Sequence, residues 1–288
     1  YKINIISDLK SIKKKKLKIN AAFICTPSSM HVDQAAWCIK NNINVFIEKP
    51  VATNLRDLNK IKKLIQKKPK IINLIGYQLR FNPLINFIKN FCFDKKKLGE
   101  VYNCEIYHGE HVDHFHSYES YKNSYTSNKK LGGGVVLTQI HELDYLNFFL
   151  NNYKLKKKYF ISNKISELKL DVEDNYISIF HFVSKKNNNI SAFAKVTCSF
   201  NQIPKKRTIF ISCRLGSIFA DLSTNEIRIL MPNKKDVYKK FNFDRNQLFV
   251  NEVKNFIKLI KTNGKCKRYL PNILEDNFVN KLAIDMKN

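Results

Sequence analysis

The chain has 288 residues, enough to bury a sizeable core in one large domain or two, and 44% hydrophobic with 12% aromatic content places it among globular proteins. No run approaches 18 uninterrupted apolar residues, so no helical membrane span is expected. The net charge of +27, from 51 Lys+Arg against 24 Asp+Glu, suits a nucleic-acid binder, an enzyme drawing in anionic substrates, or a plain coding bias towards Lys, Asn and Ile.

The charge runs weigh towards the last of these. Lys13–Lys16, Lys95–Lys97 and Lys156–Lys158 fall between apolar segments, as solvated turns and helix ends do. A run of charge has no base-reading geometry by itself, so neither nucleic acid nor a membrane is expected as a partner. Seven scattered cysteines without a C-x-x-C pair predict reduced, mostly buried thiols in a cytoplasmic protein. The chain opens at Tyr1 inside a strand-like stretch, and its true N-terminus is expected upstream.

Taken in order, residues 21–25 (AAFIC) form a short apolar strand ended by Thr26-Pro27-Ser28-Ser29. A helix with Ala35, Ala36 and Ile39 inside follows from His31, and Asn41-Asn42 breaks it. Residues 43–47 are the next strand, stopped by Glu48-Lys49-Pro50. Thr53 or Asn54 can cap a helix over 54–67, whose Leu55, Leu58, Ile61 and Leu64-Ile65 keep helical spacing. Residues 71–76 are a third apolar strand, followed by Asn82-Pro83 and a helix to about Phe91. Apolar strands alternating with helices, without in/out alternation, predict a parallel sheet covered on both faces.

Beyond Lys95–Gly99 the pattern changes. Residues 101–108 alternate, 131–150 is expected as one long helix, and strands of period two follow at 175–183, 190–199, 207–213, 217–221 and 226–231. Helices near 246–262 and 272–286 close the chain. The fold class is therefore α/β followed by α+β, divided into residues 1–98 with the parallel sheet and 99–288 with a mixed or antiparallel sheet covered on one face.

In an open parallel sheet, ligands bind beyond the carboxyl ends of the strands. Thr26-Pro27, Glu48-Lys49-Pro50 and Gly76 to Arg80 are expected to converge there. Pro50 holds Lys49 in an extended or turn conformation, and a partly desolvated lysine at that rim is suited to hydrogen-bond or exchange a proton. The competing account is a Glu48–Lys49 pair that only seals a sheet edge.

The second constellation is LGGGVVLTQIHELDYL, residues 131–146. Three of the chain's eight glycines stand at one helix start, which would present free N–H groups to a ligand. Thr138, His141, Asp144 and Tyr145 then share one face. His141, oriented by Asp144, can act as general acid/base near neutral pH, against the alternative of a structural histidine. A third cluster, His108, Glu110, His111, Asp113, His114 and His116, fits no zinc spacing and reads as a binding loop, so no metal is expected.

Together, CTPSSMH (25–31), VFIEKPVA (45–52), GYQLRFNP (76–83), SYESYKNSY (117–125), LGGGVVLTQIHELDYL (131–146), LDVEDN (170–175) and DRNQLFVNEVKNF (244–256) resemble the glucose–fructose oxidoreductase/inositol dehydrogenase/MocA (Gfo/Idh/MocA) family. The resemblance spans nearly the whole chain and implies a partial Rossmann domain followed by a substrate and oligomerisation domain. It implies hydride transfer between NAD or NADP and a sugar or sugar-derivative carbon, and the basic surface adds anionic and nucleotide-activated sugars to the candidates. By the same resemblance Lys49 and His141 are catalytic. Thr26, Pro27, His31, Glu48, Lys49 and Pro50 lie at the cofactor, with a cis Lys49–Pro50 bond, and Gln78, Arg80, Tyr125, Thr138 and Asp144 face the substrate. A homo-oligomer through the second sheet is implied, since its apolar outer face needs cover.

There are two departures from the family pattern. Thr138 stands where many members carry an aspartate, and no G-x-G-x-x-G exists anywhere, Gly76 being the first glycine. Tyr1–Leu9 looks like a late part of the Rossmann region, which predicts at least one βαβ unit of roughly 30 residues upstream. The alternative reading is a binding or scaffold protein that kept the fold without the nucleotide turn.

Overall fold

The computed structural model describes residues 8, 9, 11, 18–115, 119–265 and 270–287. Tyr1 to Ser7, the Lys13–Lys16 run, His116 and Cys266 lie outside the described residues.

The first sheet is built from β1 (Ala21–Ile24), β2 (Asn44–Glu48) and β3 (Asn73–Gly76), parallel and in that spatial order. Its strands are short and apolar because both faces are covered: Val45, Ile47, Leu74 and Ile75 are fully buried. Between them run α1 (His31–Lys40) and α2 (Leu55–Gln66). Asn54 caps α2 by accepting from the Asp57 N–H at 2.9 Å, a bond worth about 1 kcal/mol. Leu58, Ile61 and Ile65 form its buried stripe, each contributing roughly 1.5–3 kcal/mol. Short α3 (Pro83–Ile88) follows β3, capped by Asn82, and passes into one π-helical turn over Lys89–Asp94.

The second sheet has eight strands: β4 (Val101–Gly109), β5 (Tyr153–Asn163), β6 (Asn175–Ser184), β7 (Ser191–Ser199), β8 (Lys206–Cys213), β9 (Gly216–Asp221), β10 (Glu226–Leu230) and β11 (Val237–Lys240). Their spatial order is β11-β10-β9-β8-β4-β7-β6-β5, antiparallel except for the parallel β4–β7 pair. One face is buried: Tyr176, Phe180, Ala194, Val196 and Ile209 lie inward, while Ile177, Ile179 and Phe193 lie outward and exposed.

Two strands depart from the sequence expectation. Lys156–Lys158 is no solvated turn. It lies inside β5, the edge strand, where a lysine-rich flank deters pairing with another chain. Lys158 pairs with Asp285 at 2.6 Å, which ties that edge to the last helix. The other strand is β11, wholly exposed and without an apolar face to betray it.

The helix expected over 131–150 is also broken. A 3-10 turn at Lys129–Leu131 leads through the glycines into α4 (Val135–Thr138), which stops at Gln139, and α5 (His141–Phe149) starts anew. Nor do the glycines offer free N–H groups. Gly132, Gly133 and Gly134 donate to the carbonyls of Lys129, Asn128 and Thr126. Gly134 has φ +107°, and a Cβ there would collide with the Glu173 carboxylate, which instead accepts from the Val136 N–H at the start of α4. These glycines let a loop pack closely; they are not an anion cradle.

The last two helices, α6 (Arg245–Lys261) and α7 (Ile273–Lys287), return to the first sheet. Phe256 of α6 packs edge-on against Phe23 and Phe46. Asn280 of α7 exchanges hydrogen bonds with the backbone of Ala52, and the Tyr77 hydroxyl donates to Asp276 at 2.7 Å. The change of sheet near residue 98 is thus bridged by the chain's own C-terminal part. Among the described residues no helix is long and apolar enough to cross a membrane.

Candidate active site

The carboxyl ends of β1, β2 and β3 share one edge, and they carry Thr26, Glu48-Lys49 and Tyr77-Gln78. The Lys49–Pro50 peptide bond is cis. His31, expected at the cofactor, is instead buried inside the turn. Its Nδ1 and Nε2 lie 2.8 Å from the Pro50 and Thr26 carbonyl oxygens, so it fastens β1 to the segment after Lys49. The Thr26 hydroxyl donates to Gln34 Oε1 at 2.9 Å. Glu48 lies over Gly76, whose missing side chain makes room for its carboxyl group, and burial pushes that group up in pKa against the pull of Lys49.

Lys49 reaches across to the other half. Its Nζ donates to the Thr138 carbonyl oxygen at 2.8 Å. The break in the helix explains the acceptor: the Glu142 N–H, which a continuous helix would direct to Thr138, goes to the Gln139 carbonyl at 3.3 Å. One lysine proton is thereby used, leaving two for a ligand.

Lys49 and His141 line one cavity of about 240 Å³. Gln78, Tyr125 and Thr138 line it too, and so do Thr126 and Gln139. Thr126 Oγ1, Thr138 Oγ1, Gln139 Oε1 and His141 Nδ1 are buried with no hydrogen-bond partner among the described residues. Buried polar atoms of this kind are costly unless a ligand or water satisfies them. Burial, and then the charges of Lys49 and Arg207, hold His141 well below the ordinary histidine range. It is neutral at pH 7 and able to accept a proton.

Two expected substrate contacts are corrected. Arg80 and Asp144 are 2% and 1% exposed and grip each other, Nε and Nη2 lying 2.6 and 2.7 Å from the two carboxylate oxygens. Neither lines the cavity, and Asp144 is committed to Arg80 rather than orienting His141. The pair joins the loop after β3 to α5, and Arg80 also stacks over Phe148 at 4.4 Å.

Beneath His141 lies an ionic chain that sequence reasoning missed. Glu142 is fully buried, with Arg207 Nη2 at 2.6 Å and His108 Nδ1 at 3.1 Å. Burial alone would raise its pKa; Arg207 and His108 outweigh burial and hold it well below the usual carboxylate range. Glu110 continues the chain to Lys205 at 2.8 Å. A signal for it existed: His108 is in phase with Cys104 and Ile106 on β4, and Arg207 with Ile209 and Ile211 on β8, so both point inward. The histidine-rich loop thus contributes His108, Glu110 and His114 to this cavity.

Comparison with known proteins bears on the fold. Residues 1–75 match the model of the Gfo/Idh/MocA family, an oxidoreductase family with an NAD-binding Rossmann fold. The chain is 32% identical over 72 residues to 4-carboxy-2-hydroxymuconate-6-semialdehyde dehydrogenase of Sphingobium sp. strain SYK-6, a stretch covering 25% of this chain and 22% of that protein. It is 23% identical over 132 residues to 2,7-anhydro-N-acetylneuraminate hydratase of Mediterraneibacter gnavus, covering 46% of this chain and 33% of the relative. The matched stretches therefore span a third or less of these curated relatives. Among solved structures the fold is similar to levoglucosan dehydrogenase bound to NADH and levoglucosan, with TM-score 0.79, 15% identity, and 98% of this chain and 80% of that chain covered. An inositol dehydrogenase homologue from Azotobacter vinelandii, bound to NADH and myo-inositol, gives TM-score 0.80 at 12% identity, with 96% and 78% covered.

Proposed function

We propose that this chain is a member of the Gfo/Idh/MocA family and an NAD(P)-dependent oxidoreductase that moves a hydride between the nicotinamide and a hydroxyl-bearing carbon of a sugar or sugar derivative. The observation that carries the reading is the cavity itself. Lys49 and neutral His141 share it with three polar atoms that have no partner among the described residues, those of Thr126, Thr138 and Gln139, a set suited to a ligand rich in hydroxyl groups. The edge beside it fits the nicotinamide end of the cofactor: Thr26-Pro27 and Glu48-Lys49-Pro50 would hold it, next to a lysine with two open donors. When bound, the cofactor supplies the hydride acceptor.

The protein's own part is proton handling and positioning. Oxidation needs the hydroxyl proton to leave as the C–H bond breaks, so a base must lie within reach of that oxygen. His141 takes the proton, Lys49 holds the oxygen and Thr138 positions the neighbouring hydroxyl. Thr138 itself is no base, because its hydroxyl does not ionise near neutral pH. The test is nicotinamide reduction against a panel of sugars, polyols and sugar acids. Turnover that survives loss of both Lys49 and His141 would defeat the reading.

The open face of the second sheet, with Ile161, Ile177, Ile179 and Phe193 exposed, supports a homo-oligomer that covers it. Light scattering should give a mass at least twice 33.8 kDa, and Ile177→Lys with Ile179→Lys should return the monomer. A monomeric wild type would refute this part.

A further inference from the structure

Next to the cavity of Lys49 and His141 lies a second, of about 270 Å³, and the two share Gln78, Lys205, Arg207 and Arg245. The shared side chains make the two cavities neighbouring halves of one lined region. Its far half is walled by Leu222, Phe243 and Leu248 and contains three cations but no Asp or Glu. Over the whole cleft, Lys49, Lys205, Arg207 and Arg245 face a single lining carboxylate, Glu110.

The four cations are not equivalent. Arg207 is matched by Glu142 at 2.6 Å and Lys205 by Glu110 at 2.8 Å. Arg245 makes no ion pair with any described residue. It stands on the first turn of α6, where Asp244 spends its carboxylate on capping the Asn246 N–H at 2.9 Å. A guanidinium unmatched by any described residue, in a half-cleft whose lining has no carboxylate, is suited to bind a planar or tetrahedral oxyanion, because its fork of N–H donors fits two oxygens at once.

We propose that the far half of the cleft is the acid-end subsite. Arg245, flanked by Lys205 and Arg207, binds a carboxylate or phosphate on the substrate whose hydroxyl-bearing carbon lies at Lys49 and His141. The inference rests on the dehydrogenase reading of that first cavity and narrows it from sugars in general to sugar acids or sugar phosphates. The net charge of +27 then has a local counterpart that draws such substrates in, a rate effect that salt would weaken.

The test is titration calorimetry of the 288-residue chain with glucose, glucuronate and glucose 6-phosphate, with inorganic phosphate as competitor, for the wild type and Arg245→Gln. Arg245 is exposed, so the variant is expected to fold. One or both acids should bind about ten-fold or more tighter than glucose. Arg245→Gln should erase that preference while glucose affinity stays level, and phosphate should compete with the acids in the wild type alone. Whichever acid binds tighter identifies the group recognised. Equal binding of acids and glucose, or a preference that survives Arg245→Gln, overturns the subsite and leaves the dehydrogenase reading in place. Arg245-dependent binding of phosphate with none of the sugars bound overturns both that reading and the substrate claim.

Discussion

Lys49 and Thr138, 89 positions apart, meet through a 2.8 Å bond from the lysine ammonium to the threonine carbonyl oxygen. The bond exists because two local irregularities face each other: a strand that stops at Lys49-Pro50 and a helix that stops at Thr138. It fixes the lysine beside His141 before any ligand arrives. His141→Ala and Lys49→Met are each expected to lower kcat for oxidation by roughly 10²–10⁴. Cofactor affinity should fall more for the lysine variant, because the proposed function also places Lys49 at the cofactor. Stopped-flow nicotinamide reduction reads both, and a histidine variant with the wild-type rate of the chemical step would remove His141 from the role of base.

The pH profile follows from the charges around His141. A base must be neutral to work, and burial with Lys49 and Arg207 places its pKa below 6.5. The acid limb of kcat/KM should therefore lie below pH 6.5, with activity flat above it until another group titrates. Arg207→Gln removes one depressing charge and leaves Glu142, whose charge favours the imidazolium, so the limb should move to higher pH. A limb that stays put in that variant would show that His141 is not the titrating group.

Which parts were legible follows from how local the deciding interactions are. The parallel strands announce themselves by uninterrupted apolar runs, and β6 and β7 by strict alternation, because burial acts on each residue in turn. Glu48-Lys49-Pro50 and His141 were legible as a constellation, and both ends of it face one cavity. The broken helix was not, since Val135 to Phe149 is compatible with one continuous helix. The break coincides with distant partners, Glu173 at its start and Lys49 at Thr138. Arg80 and Asp144 look like rim residues by position, and only the packing of α5 against the loop after β3 turns them towards each other. Edge strand β5 was hidden by the lysines that protect it.

That inward pair yields a stability prediction. Removing one partner of a buried ion pair strands the other charge, at a cost of about 3–5 kcal/mol. Asp144→Ala should lose that much in urea unfolding. The double change Arg80→Met with Asp144→Leu, which removes both charges of the pair together, should recover most of it. Equal losses in the single and double variants would show that the pair contributes through specific geometry and not through charge compensation.

A last prediction concerns Glu252 of α6, 1% exposed, with Oε1 lacking a hydrogen-bond partner among the described residues. Burial, and then the neighbouring carboxylates Glu48 and Asp144, push its pKa up from 4.5 to about 9. The sign is the reverse of the usual acid case. Between pH 4.5 and 9 the folded chain holds a proton here that the unfolded chain has released, so stability falls as pH rises through this window. Asp276, raised by burial from 3.8 to about 7, adds to the same slope at lower pH. Glu252→Gln keeps the shape and removes the titration, so it should leave stability nearly unchanged at pH 4.5 and raise it by about 2 kcal/mol or more at pH 9, since each unit of pKa shift is worth about 1.4 kcal/mol. Urea unfolding at the two pH values measures the difference directly. A gain of equal size at both would mean that the glutamine improves packing and that Glu252 does not titrate in this window.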